Sequence, residues 1–139
     1  MKKTLIILCC IVLAIISIIV VYRAINYVDT SFTTKVTLKY HYGDKKIDVV
    51  LTDKNDIKII KDNIGGVSYG EWLSGERSCG FDENISITLS GKWKSIVFYP
   101  ACDTCGGAKL ANTNRYVDGK NWDAIRKVLE KYGFTFPCV

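Results

Sequence analysis

The chain has little of what marks most enzymes. It contains one histidine and two prolines in 139 residues. A single histidine excludes HExxH-type metal sites, and His41 lies on the polar face of an alternating segment, as a solvated strand residue does. The patterns GxGxxG and the P-loop are missing. Concentrated basic charge is missing too. The net charge is +5, but Lys2, Lys3 and Arg23 belong to the amino-terminal segment, and the remainder alternates in sign at about +2. A nucleic-acid partner needs a basic face and is not expected. No cofactor, metal ligand set or catalytic residue is expected either. Carboxylates such as Glu71, Glu76, Asp82 and Glu83 gather in an irregular stretch, without a spacing that argues paired acid–base work.

One absence is positive evidence. Leu5 to Tyr22 contains no charge, glycine or proline, and Ser17 is its only ordinary polar residue. Eighteen helical residues at ~1.5 Å each reach about 27 Å, close to the roughly 30 Å apolar layer of a bilayer. Secretory signals have a shorter apolar stretch and a small-x-small cleavage site. Here Tyr22 would occupy a small-residue position if the chain were cut after Ala24. Residues 1–27 are therefore expected to be an uncleaved, single-pass signal anchor in the cell membrane, with lipid around residues 5–22. Lys2 and Lys3 outweigh Arg23, which places the amino terminus in the cytoplasm and residues 28–139 outside.

The outer part is long enough for one domain. Lys35 to Tyr42 alternates apolar and polar residues; Gly43-Asp44-Lys45 supplies a turn, and Ile47, Val49 and Leu51 resume the alternation. Thr52-Asp53 caps a helix striped by Ile57, Ile60 and Ile64. Residues 65–84 show no period. A second hairpin follows, from Ile85 to Tyr99, with Leu89 opposite Trp93 across Ser90-Gly91-Lys92. Residues 101–114 read as a loop, Arg115-Tyr116-Val117 as a short strand, and Trp122 to Tyr132 as a closing helix. The expected class is α+β: a transmembrane helix, then ββα-ββ(β)α, with an antiparallel sheet covered on one face by two helices.

Cys79, Cys102, Cys105 and Cys138 fall in the outer domain. An even count outside the cytoplasm reads as two disulfides. The expected hairpin register carries Cys79 to residue 103, within reach of Cys102 or Cys105, and leaves the other for Cys138.

Two other chemistries use the same residues. Ser95 to Cys105, a strand running into CxxC, locally resembles the approach to a thioredoxin active site. That likeness implies a thiol–disulfide oxidoreductase acting through Cys102 and Cys105. However, Gly106-Gly107 disfavours the helix that such a nucleophile needs, and residues 106–139 are too few to complete that fold. Four thiolates could also hold a structural zinc, although only one CxxC is present. The favoured reading is a binding or accessory domain, interaction- or inhibitor-like, for an envelope protein or peptide. Tyr69, Glu71 and Trp72, in the long aperiodic stretch, are the candidate contacts.

Overall fold

The computed structural model describes residues 2–71, 79–103 and 105–138. Helix α1 spans Lys2–Ile25, and none of its residues is buried against the rest of the chain. It is long and apolar enough to cross a membrane. The Ser17 hydroxyl donates to the carbonyl of Leu13 at 2.8 Å, so the one polar side chain of the run is satisfied within the helix.

The remainder is α+β: an antiparallel, curled sheet plus two helices. Its strands are β1 (Tyr27–Val28), β2 (Lys35–Tyr42), β3 (Lys45–Val50), β4 (Gly66–Gly70), β5 (Ile85–Ser90), β6 (Ser95–Pro100), β7 (Ala108–Leu110) and β8 (Arg115–Val117). They lie in the order β1-β4-β8-β7-β6-β5-β2-β3. Helix α2 is Lys54–Ile64 and helix α3 is Trp122–Lys131.

Alternation puts Val36, Leu38 and Tyr40 of β2 on one face, directly opposite Leu89, Ile87 and Ile85 of β5. Phe98 of β6 joins them opposite Ile87. These side chains are almost wholly buried, together with Ile60 and Ile64 of α2 and Ile125, Val128 and Leu129 of α3. Asp53 caps α2 by accepting from the backbone N–H of Asn55 at 2.8 Å. Asp56, buried on the same helix, accepts from Lys131 Nζ at 2.6 Å and Tyr132 Oη at 2.8 Å, which ties α2 to the end of α3.

Helix α3 ends in a Schellman motif. Gly133 donates to Glu130 O at 2.9 Å and Phe134 to Leu129 O at 3.0 Å, while Gly133 takes φ +95°, a conformation that favours glycine. The turn drives Phe134 into the core, 4.9 Å from the ring of Tyr40.

The sequence expectations fail at three places. Residues 65–84 are not irregular throughout, because Gly66–Gly70 forms β4 between β1 and β8. Residues 101–114 contain β7. The second hairpin pairs Ser90 with Ser95, not Leu89 with Trp93, so Gly91 to Lys94 form the tip and Trp93 projects from it, 88% exposed. The short strands carry too few residues to show a period, and a four-residue loop replaces the tighter turn expected at Ser90-Gly91-Lys92.

Helix α1 is joined to the domain without a slack linker. Asn26 O accepts from the Ser68 N–H and from Ser68 Oγ, each at 2.9 Å. Arg115 donates through Nε to Ser68 Oγ and through Nη2 to Ser68 O, each at 3.0 Å, and also to Asn26 Oδ1. A half-buried guanidinium thus fastens the first residues after α1 to β4 and β8.

Candidate functional site

Two groups of side chains carry chemistry. The first surrounds the cysteines. Strand β6 ends at Pro100, and Ala101 then bridges to Phe81. Within β5 and β6 the register differs by three residues from the one expected, but the Phe81–Ala101 bridge restores the expected alignment beyond Ile85. Cys102 N–H donates to Gly80 O at 2.8 Å, which brings the residue-79 and residue-103 segments together.

The sulfur of Cys105 donates to Asp103 Oδ2 at 3.0 Å, and the Cys105 N–H to Asp103 Oδ1 at 2.8 Å. The donor atoms of Cys79, Asp103 and Cys105 lie within 4.8 Å of one another. The neighbouring Cys79 thiol, followed by the Asp103 carboxylate, pushes the Cys105 thiol up to about 12. Cys102 is fully buried, and burial raises its thiol. It faces Cys138, whose N–H donates to Cys102 O at 2.7 Å. Burial first, and Cys102 second, push the Cys138 thiol up to about 12. No sulfur is bonded to another.

The two cysteines of the CxxC therefore engage different partners, Cys105 with Cys79 and Cys102 with Cys138. They sit in the connection between β6 and β7 rather than at a helix N-terminus. Every resolved shift among these thiols is upward, which is opposite to what activates a nucleophilic thiolate at neutral pH. The three donors Cys79, Asp103 and Cys105 are the set that converges on one point, while Cys102 and Cys138 make a separate pair.

The second group lies on the sheet face turned away from the core. Directly opposed residues of neighbouring strands share a face. Tyr69 of β4 opposes Tyr116 of β8, Tyr116 opposes Lys109 of β7, and Lys109 opposes Tyr99 of β6. Their neighbours Ser68, Val117, Ala108 and Phe98 point to the opposite side and are buried. A row of three tyrosines and a lysine thus crosses four strands, with Tyr69, Lys109 and Tyr99 part-exposed and Tyr116 buried between them at 6%. Phe81 packs 5.4 Å from the Tyr116 ring, and Tyr116 Oη donates to Glu71 Oε1 at 3.3 Å. Tyr99 and Lys109 also line a groove of about 370 Å³ with Glu83, Asn112, Thr113 and Asn114.

Of the residues singled out from the sequence, Tyr69 belongs to this row and Glu71 touches it through Tyr116; Trp72 lies outside the described residues. Tyr99, Lys109 and Tyr116 were not singled out. The alternation of β6 sets Tyr99 opposite in sense to Phe98, but the three-residue strands β7 and β8 give no pattern from which to align the others. His41 stays on the polar face of its hairpin, with Nε2 2.6 Å from Asp48 Oδ2. Comparison with protein families, curated proteins and solved structures yields no match.

Proposed function

We propose that this chain is a single-pass membrane protein with a cytoplasmic amino terminus and an extracytoplasmic binding or accessory domain. Disulfides Cys79–Cys105 and Cys102–Cys138 tie that domain together. The observation that carries the binding role is the cross-strand row Tyr69, Tyr116, Lys109 and Tyr99, edged by Glu71 and Glu83. Tyrosines presented by strands offer apolar area with a polar tip at little entropic cost, and the flanking charges suit a peptide or protein segment with its own polar groups. The separate engagement of Cys102 and Cys105 favours ties over thiol–disulfide exchange, which needs a reactive pair within the CxxC itself.

The test is site-specific photocrosslinking in native membranes. A benzoylphenylalanine at position 69 or 99 should give one adduct mass common to both sites. The same probe at Lys58, an exposed residue of α2, should not give it. Adducts of that mass from position 58, or none from 69 and 99, would refute the assignment of this face.

A further inference from the structure

Among the described residues Trp93 is the most exposed large apolar side chain, at 88%, above those of α1. One exposed apolar side chain is ordinary, and it is the setting of this one that carries meaning. The residues on either side are Lys92 and Lys94. Lys92 Nζ lies 4.9 Å over the Trp93 ring, and Lys94 Nζ lies 5.0 Å over the ring of Phe32.

The topology says which way this tip points. Strands β1, β4, β8, β7 and β6 are successive antiparallel neighbours, so β1, β8 and β6 run in the same sense. The register through β4, β8 and β7 sets Tyr27 level with Ala101, so it is the curl of the sheet that brings the start of β6 back to the segment around β1. The packing agrees. Tyr27, Val28 and Asp29 share one groove with Lys94, Ser95 and Ile96. A Cβ on Gly91 would stand only 2.5 Å from Phe32 O, so the tip is pressed against the segment that follows β1. The apolar run of α1 ends at Tyr22, and Tyr27 follows five residues later. At ~1.5 Å per helical residue that step is about 7 Å, comparable to the headgroup layer on one side of a bilayer.

We propose that the β5–β6 tip seats Trp93 in the headgroup layer of the bilayer that α1 crosses, with Lys92 and Lys94 against anionic headgroups. The proposal rests on the membrane-spanning reading of α1. An amphipathic indole with flanking ammonium groups is the residue set that this layer selects. The Arg115–Asn26–Ser68 joint makes the seating specific, because it leaves the domain little freedom to tumble on its anchor. The anchor then fixes position, and the tip fixes which side of the domain faces the lipid. The rest of the sheet stays in water.

The experiment uses the full chain labelled with 5-fluorotryptophan in vesicles of phosphatidylcholine and phosphatidylglycerol. The Trp93 fluorine line is assigned by its loss in Trp93→Phe. A nitroxide carried on lipid headgroups should broaden the line beyond detection, and a soluble gadolinium chelate should leave it sharp. In pure phosphatidylcholine, or with Lys92→Glu and Lys94→Glu together, the line should become sensitive to gadolinium while the melting temperature holds. A wash in alkaline carbonate reports the anchor independently: a chain that leaves the vesicles overturns the spanning reading. If the chain stays and Trp93 is open to gadolinium in the anionic vesicles, the tip proposal alone is overturned. It is equally overturned if the line is shielded from both agents, because protein then covers the tryptophan.

Discussion

Two aromatic residues should respond to the same substitution in opposite ways. Phe134 is buried to 4% exposure, held by the Schellman turn after α3 and packed with its ring tilted 4.9 Å from that of Tyr40. Phe134→Ala should remove that ring and leave a cavity between the sheet and the carboxyl-terminal segment, a change that costs about 3–5 kcal/mol. A folded domain of about 110 residues loses roughly 4 °C in melting temperature per kcal/mol, so the midpoint should fall by roughly 12–20 °C. Trp93→Ala removes a larger side chain, but one that is 88% exposed, and should leave the midpoint within a few degrees. Circular dichroism melts of both variants in the same detergent provide the comparison. A small drop for Phe134→Ala would mean that residues 133–138 are not docked on the sheet, and the closeness of Cys138 to Cys102 would lose its support.

The remaining predictions concern the ties. Cys138→Ala should destabilise the oxidised domain by about 4 kcal/mol, the chain-entropy value for a closed loop of about 37 residues, and adding reductant should abolish the difference from wild type in chemical denaturation. The acid limb of stability should involve Asp53, whose carboxyl is held below its ordinary value of 3.8, first by the hydrogen bond from Lys131 and then by the Asn55 N–H. A depressed carboxylate contributes stability that is complete above its unfolded pKa and is lost as pH falls through the folded one. Asp53→Asn keeps a capping side chain but removes the titration, so its stability profile should be flatter than wild type below pH 3.8.

The parts legible in the sequence are those with enough length to show a period. Lys35 to Val50 alternates over two long strands around Gly43-Asp44, and Asp53 and Asn121 announce their helices through cap chemistry. The short strands β1, β4 and β7 were not legible. They contain two, five and three residues, and the sheet around them defines them more than their own pattern does. The same brevity hid the tyrosine row, which exists only once β8 and β7 are aligned. The tip of the second hairpin was misread because Ser90-Gly91-Lys92 looks like a tight turn, whereas Gly91 is required for its approach to Phe32. The joint at Asn26 was invisible because Arg115 and Ser68 are remote in sequence and carry no motif. Cys79 nevertheless arrives beside Cys105, since the Phe81–Ala101 bridge cancels the register error.

The central claim is that Cys79, Cys102, Cys105 and Cys138 are ties between distant segments. Non-reducing peptide mapping of the full chain, with thiols blocked before the cells are opened, tests it most directly. The account predicts two linked peptide pairs, Cys79 with Cys105 and Cys102 with Cys138, and no blocked thiol among the four. A bridge between Cys102 and Cys105, with Cys79 and Cys138 recovered as blocked thiols, would contradict it and return the CxxC to redox chemistry.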